Sequence, residues 1–355
     1  MNEIYPLMRI TQPKFTLIAL VAILLSSVGS KAQDAQYSQF YAAPLYLNPA
    51  FAGNQGPQMA SVGGNYRNQW PGAQATFITY ATYFDYFFED IRSGVGAIIT
   101  RDVEGFSGLS NIQGGLQYAY QIPLTQKLTA RAGMHVGAIY KTADLSGLIF
   151  GDQLNPDGSI TGSPTGELFP TGNRVWMLDL ATGFLLYSER FWLGTSVWHL
   201  NRPNQSVVGG DSPLRMKTSV HVGYKIPIRM GMYLVGKNID GQERSVSLTA
   251  QYKHQGAFQQ LETGAYLTLE PMVFGLWYRG IPVTNQTGRI NNDGIVALVG
   301  ITHEGFSMGY SFDYTLSQVS IVSGGAHEIS LAYNFFLGNR RKPPLNVRRI
   351  PCPRF

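Results

Sequence analysis

The chain has 355 residues, of which 14% are charged, 12% are aromatic and 40 are glycines. Typical soluble domains have about 25% charged residues, and a nucleic-acid-binding face needs clustered Lys and Arg. The formal net charge of +5 becomes −3 over residues 33–337, once the +2 of residues 1–32 and the +6 of the residues after Leu337 are set aside. No nucleic-acid partner is therefore predicted. The single cysteine, Cys352, excludes an internal disulfide framework.

Residues 1–32 have the pattern of a secretory signal peptide. Arg9 and Lys14 precede an apolar run over 15–28, and Ser30, Lys31 and Ala32 fit a small-x-small cleavage site. The run is short for an uncleaved anchor helix, and no later stretch approaches eighteen consecutive apolar residues. The sequence therefore predicts export of the chain and no transmembrane helix.

Residues 33–57 are too apolar for a free tail, and their prolines and turn signals argue against a long strand. We predict an ordered periplasmic segment that packs on the mouth of a barrel or enters its lumen as a plug. A strand lead-in that covers the first edge is the alternative. The candidate plug or partner-binding residues are Tyr37, Phe40, Tyr41, Tyr46, Asn48, Pro49 and Phe51.

From residue 60 onward, apolar and polar residues alternate over strand-length stretches. Near the carboxyl terminus, Ile329, Leu331, Tyr333 and Phe335 alternate with polar or small residues, as in a strand with one apolar face. Fourteen such stretches are predicted, at 60–70, 75–88, 93–103, 109–121, 127–141, 174–187, 190–201, 214–226, 244–254, 258–268, 272–281, 293–303, 305–315 and 327–336. The fold class is all-β: a transmembrane antiparallel β-barrel of about 14 strands over residues 58–337, in the outer membrane. A soluble β-sandwich is the alternative fold.

The polar face of each strand is predicted to line the lumen, because a Lys or Arg facing lipid near the midplane costs roughly 2–4 kcal/mol. The lumen candidates are Arg131, His135, Asp179, Lys217, His221, Lys225, Glu262, Asp313 and Glu328. Their mixed signs suit a porin-type selectivity ring or a plugged lumen held by salt bridges, and the available amino-terminal segment favours the plug. Aromatic residues near strand ends are predicted to form interfacial girdles, namely Trp70, Tyr83, Tyr86, Tyr118, Tyr120, Tyr187, Trp192 and Trp198.

Signals for catalysis or metal binding are weak. Ser307 lies in a Gly-x-Ser-x-Gly sequence, but this nucleophile motif needs a strand-to-helix turn, whereas Ser307 falls inside an alternating stretch. The six histidines are far apart, without an i,i+4 pair. We predict no enzymatic activity, no metal and no cofactor.

Loop lengths predict the orientation. Tight connections such as 188–189 and 270–271 alternate with long ones such as 142–173 and 202–213, and short turns face the periplasm in outer-membrane barrels. Both termini are therefore expected in the periplasm, as is an excursion over 227–243. The Pro-rich tail 338–355 carries six basic residues and no acid. It is predicted to be an extended periplasmic segment that docks an acidic partner or anionic headgroups, or to be an inert extension.

Several motifs together resemble the PorP/SprF family of type IX secretion outer-membrane proteins. Gln36-Tyr-Ser-Gln-Phe-Tyr41 and Leu45-Tyr-Leu-Asn-Pro-Ala-Phe-Ala-Gly53 resemble its amino-terminal hallmark, and Tyr66-Arg-Asn-Gln-Trp-Pro71 resembles the next block. Residues 310–314 and 324–335 resemble the last two blocks, whereas the tail from Leu337 departs from the family pattern.

The resemblance implies a non-enzymatic role in exporting or surface-anchoring a large secreted cargo, such as an adhesin with a C-terminal sorting domain, including in gliding motility. It also implies contacts with periplasmic type IX components, among them a peptidoglycan-binding lipoprotein, and with outer-membrane lipid. An outer-membrane transport barrel for small solutes is the alternative function.

Overall fold

The computed structural model describes residues 34–72, 76–105, 108–145, 148–166, 172–228, 243–284, 290–316, 324–337 and 350–352. Within these residues the chain forms a closed antiparallel barrel in which each strand pairs with its neighbours in sequence and the first pairs with the last. The predicted 14-strand barrel is confirmed. The signal segment, residues 229–242 of the predicted excursion and most of the tail lie outside the described residues.

The strand bounds differ from the predicted ones by at most three residues. The strands are β1 (Met59–Gln69), β2 (Thr76–Phe88), β3 (Ser93–Gly105), β4 (Leu109–Pro123), β5 (Thr129–Thr142), β6 (Arg174–Tyr187), β7 (Phe191–Trp198), β8 (Lys217–Pro227), β9 (Arg244–Gln255), β10 (Phe258–Leu269), β11 (Met272–Thr284), β12 (Ile290–His303), β13 (Phe306–Thr315) and β14 (Ala326–Phe336).

Alternation along each strand sorts the side chains into an outward apolar face and an inward polar face. In β5, Met134 and Val136 are 57% and 52% exposed, whereas Arg131 and His135 are buried. A tilted strand of about 9–11 residues can cross a bilayer, and β5 has 14 residues. The described helices include none that is long and apolar enough to cross a membrane.

The two ends of the barrel differ in their connections. The short-turn end carries the connections 89–92, 124–128, 188–190, 270–271 and 304–305, together with the longer 228–243. The long-loop end carries 143–173, 199–216 and 316–325 as well as shorter links. β1 begins at the short-turn end.

The hydrophobic core lies inside the barrel, because the amino-terminal segment enters the lumen before β1. This segment contains a short helix α1 (Pro44–Leu47) and a 3₁₀ turn (Pro49–Phe51). Asn48 joins them, and its side chain caps the 3₁₀ turn by accepting a hydrogen bond from Ala50 N at 2.9 Å. The barrel is closed by β1 and β14, so the alternative of a lead-in covering an open first edge does not apply.

Candidate functional site

The amino-terminal segment fills the lumen, and it forms the candidate functional site together with the wall residues that hold it. The structure places all the predicted plug residues here: Tyr37, Phe40, Tyr41, Asn48, Pro49 and Phe51 are buried, and Tyr46 is half-buried. Residues 35–58 are called the plug from here on.

Two wall glycines let the plug backbone approach the strands. A β-carbon at Gly94 of β3 would overlap the carbonyl oxygen of Ala52. A β-carbon at Gly133 of β5 would overlap the backbone of Ala50. Such close backbone approach requires the absence of a side chain, so these glycines determine where the plug rests near the short-turn end.

Wall side chains satisfy backbone carbonyls of the plug that water does not reach. Gln117 Nε2 donates to Leu45 O at 2.8 Å. Arg131 donates to Ala52 O and also to Gly53 O, the latter at 3.3 Å. A buried carbonyl without a partner is costly, so these donors stabilise the plug inside the lumen.

Asn48 links the plug to the wall in the opposite direction. Its side-chain nitrogen donates to Phe184 O at 3.2 Å and to Thr195 O at 3.0 Å. It also lies 3.4 Å from Nε2 of His221, whose ring stacks on Phe51 with centroids 5.5 Å apart. One side chain therefore caps the 3₁₀ turn and binds two neighbouring strands.

Ser38 lies at the centre of a network of buried charges. Its Oγ accepts hydrogen bonds from Arg67 Nη1 at 2.6 Å and Arg279 Nη2 at 2.7 Å, and it donates to Asp313 Oδ2 at 2.5 Å. The same carboxylate oxygen accepts from Arg67 Nη2 at 2.9 Å and Arg279 Nη1 at 2.8 Å. Two arginines and one aspartate from three strands thus converge on one plug hydroxyl.

Two glutamates complete this network. Glu328 accepts hydrogen bonds from the backbone of Ser38 at 2.7 Å and of Gln39 at 3.3 Å. Glu262 accepts from Arg279 Nε at 2.9 Å and from Lys253 Nζ at 3.2 Å. The network contains three basic and three acidic side chains, so their charges balance. Buried charges persist where they are paired and hydrogen-bonded in this way.

Lys217 holds the plug at the long-loop end, where β8 begins. Its Nζ donates to Tyr46 Oη at 3.2 Å and lies 4.2 Å from the centroid of that ring. Tyr46 in turn donates to Ala35 O at 2.6 Å. Ala35 therefore lies at the end of the barrel opposite to the start of β1. The contacts of the described plug therefore run along the length of the lumen.

The lumen histidines make structural contacts. Asp179 Oδ1 lies 2.7 Å from His199 Nδ1, and Asp179 Oδ2 lies 4.0 Å from His135 Nε2. In the described part of the chain, no group of three His, Cys, Asp or Glu residues could hold a metal. Ser307 lies in β13 opposite Thr302, inside a regular strand and not on a strand-to-helix turn.

The comparison with protein families decides the identity of the chain. Residues 29–333 match the family described as type IX secretion system membrane protein PorP/SprF. This chain belongs to the PorP/SprF family. With its closed barrel, this family member is an outer-membrane protein of type IX secretion, and the motif resemblance is confirmed. No curated protein matches the chain.

Solved structures with a similar fold include outer-membrane transporters and channels. The Ralstonia pickettii toluene transporter TbuX has 14% identity and a TM-score of 0.48, over 82% of this chain and 93% of that chain. The TodX deltaS2S3 mutant monoaromatic hydrocarbon channel has 11% identity and a TM-score of 0.46, over 82% and 93%. A Pseudomonas aeruginosa FadL homologue has 12% identity and a TM-score of 0.43, over 84% and 94%.

The remaining predicted lumen residue of this PorP/SprF protein, Lys225, lies near the short-turn end of β8. Its Nζ is 2.7 Å from Glu243 Oε1. Half of the predicted aromatic girdle is wrong. Tyr83, Tyr187, Trp192 and Trp198 are buried inside the lumen, whereas Tyr118 and Tyr120 are 43% and 44% exposed. Position along a strand predicts the height of a residue in the membrane, but not which face carries it.

Sequence reasoning missed several residues that hold the plug. Arg67 and Arg279 lie on the polar faces of β1 and β11, so alternation could have identified them. Trp192 gave a misleading signal, because it is a lumen residue whose Nε1 donates to Tyr41 Oη at 2.6 Å. The sequence of the tail gave no signal for its position. Ile350 and Cys352 are buried in the same cluster as Tyr41, although an extended periplasmic tail was expected.

Proposed function

We propose that this barrel is an accessory component of type IX secretion that supports export and surface anchoring of a large secreted protein. The proposed cargo is adhesin-like and carries a C-terminal sorting domain, and gliding motility is one process that it would serve. The role is non-enzymatic. The observation that carries the proposal, beside the family, is the filled lumen. A barrel whose interior is occupied by its own chain is suited to holding a protein at its mouths.

The contacts of the plug support this function over solute transport. A solute path through the lumen would require displacement of Asn48 from two strands and of Ser38 from its paired charges. Leaving a buried donor or acceptor without its hydrogen-bond partner typically costs about 1–3 kcal/mol for each group. The wall donors that a solute would need, such as Arg131 and Gln117, are already bonded to plug carbonyls.

The two mouths are assigned different partners. With the short-turn end in the periplasm, the secreted cargo docks at the long-loop end, where Ala35, Tyr46 and Lys217 lie. Periplasmic type IX components, including a peptidoglycan-binding lipoprotein, dock at the short-turn end. This is the end at which β14 finishes and the basic tail begins.

The test is a detergent pull-down of the tagged protein from native outer membranes, with mass spectrometry of the bound proteins. The proposal expects a large multidomain secreted protein together with a periplasmic lipoprotein, both absent from an untagged strain. Planar-bilayer conductance of the purified protein is measured in parallel. A lone barrel with a steady open conductance would overturn the proposal in favour of a small-solute transporter.

A further inference from the structure

Arg101 stands out because it is exposed on the outward, membrane-facing side of β3. Ile99, on the same face, is 55% exposed. Every other Asp, Glu, Lys or Arg of the described strands faces the lumen or lies within two residues of a strand end, as Arg174 and Arg244 do. The guanidinium of Arg101 has no hydrogen bond or ion pair with another described residue.

An arginine side chain in this position, without a partner among the described residues, calls for an anionic partner. The cost of an arginine on the lipid face is about 2–4 kcal/mol at the midplane and falls to about 0–1 kcal/mol near the interface. Arg101 lies four residues before the end of β3 on the long-loop side, so its guanidinium is near the level of lipid headgroups. Guanidinium groups bind phosphate oxygens in a bidentate manner.

An apolar groove of about 600 Å³ adjoins Arg101 on the outer surface of β14, β1, β2 and β3. Strand register explains its shape. Tyr66, Tyr80 and Arg101 form one row across the wall, and Gly64, Thr82 and Ile99 form the next row towards the short-turn end.

Gly64 has no side chain, so the second row contains a notch. Leu331 flanks the notch on one side, and Val62 lies two residues beyond it along β1. The notch is therefore an apolar slot that leads away from the charged end of the groove. Its lining matches a hydrocarbon chain, and its charged end matches a phosphate.

We propose that this groove binds one phosphate-bearing lipid. The phosphate contacts Arg101 and one acyl chain lies in the notch over Gly64. Charge complementarity at one end and an apolar slot at the other select a phospholipid-type ligand over a neutral lipid. A partner strand cannot add here, because β1, β2 and β3 are each paired on both sides within the wall.

Native mass spectrometry of the delipidated full-length barrel, with defined lipids added back, tests the proposal. Dioleoyl phosphatidic acid is the probe, and dioleoylglycerol is its phosphate-free counterpart. We expect one bound phosphatidic acid per barrel and at least about tenfold weaker binding of the diacylglycerol, as for loss of one charge-assisted hydrogen bond. R101Q should weaken phosphatidic acid binding by a similar factor, and R101K should restore part of it.

Two variants separate the parts of the site. G64L fills the notch and should lower phosphatidic acid binding, provided that heat-modifiable migration on a gel shows a folded barrel. R174Q removes an outward arginine at a strand end and should leave binding unchanged. Equal binding by R101Q and wild type, equal binding of the two lipids, displacement by excess inorganic phosphate, or a dimer in place of the lipid complex would each overturn the proposal.

Discussion

The side-chain oxygen of Asn48 occupies the space where a β-carbon on Gly183 would lie. The amide nitrogen of the same Asn48 donates to the carbonyl oxygen of Phe184, the next residue in β6. Plug and wall are therefore fitted to each other at single atoms, although 135 positions separate Asn48 from Gly183 in the sequence. This fit makes the closure of the lumen testable by single substitutions.

Gly183→Ala should loosen the plug, because the added methyl group overlaps the Asn48 side chain. Overpacking of this kind costs typically about 1–3 kcal/mol. We expect a lower urea midpoint and the appearance of conductance events in planar bilayers. Gly151→Ala is the matched control, since a β-carbon there meets no atom within 4 Å. A Gly183→Ala barrel with no conductance events and an unchanged urea midpoint would show that Asn48 does not anchor the plug.

Asp313→Asn should strongly destabilise the barrel. The substitution removes the carboxylate that both Arg67 and Arg279 contact, and breaking a buried ion pair costs about 3–5 kcal/mol. The free energy of unfolding in urea, followed by heat-modifiable gel migration, measures the effect.

The control for this prediction is Glu243→Gln, which removes the partner of Lys225. The Glu243 side chain is 47% exposed, so its pair is screened by water and its loss should cost less than about 1 kcal/mol. Equal losses for Asp313→Asn and Glu243→Gln would contradict the assignment of the Ser38 network as the main electrostatic anchor.

Cys352 should react slowly with maleimide in the folded protein. Its side chain is buried in the cluster that contains Tyr41 and Tyr266, so labelling requires local opening. We expect a rate at least about 100-fold lower in detergent than in urea. A protein with Cys352→Ser and Ile149→Cys carries its thiol at a position that is 52% exposed, and it should label at similar rates in both. Fast labelling of native Cys352 would place the tail outside the core.

The contacts of Asp152 with Thr165 and Gly166, which close the loop after β5, should depend on pH. The backbone N–H of Gly166, at 2.6 Å, and the hydroxyl of Thr165, at 2.9 Å, lower the pKa of this carboxyl below its usual value of 3.8. A lowered pKa means that the contact stabilises the loop above pH 3.8 and is lost as the pH falls through the lowered value.

The amide proton shift of Gly166, followed by NMR in micelles during acid titration, reports this closure. In the Asp152→Asn variant the transition should be absent, because the amide does not titrate in this range. An unchanged titration in that variant would assign the transition to another group.

The sequence by itself determined the strands and most of their sidedness. Alternation has a period of two and is local, so Met134 and Arg131 reveal their faces without reference to any other strand. The charges of β5, β8 and β13 identified the inner face, because lipid excludes them. The motif around Asn48 indicated an ordered segment and the family of the chain. It did not indicate which wall residues this segment contacts.

Tertiary structure alone decided how the lumen is filled. Ser38 meets Asp313 across 275 positions, and nothing local in either stretch encodes that contact. The same holds for the glycines beneath the plug and for the contact of Trp192 with Tyr41, which depends on where the plug lies. The burial of Ile350 has the same origin. An apolar residue in a basic tail becomes part of the core only when the barrel supplies a cavity to receive it.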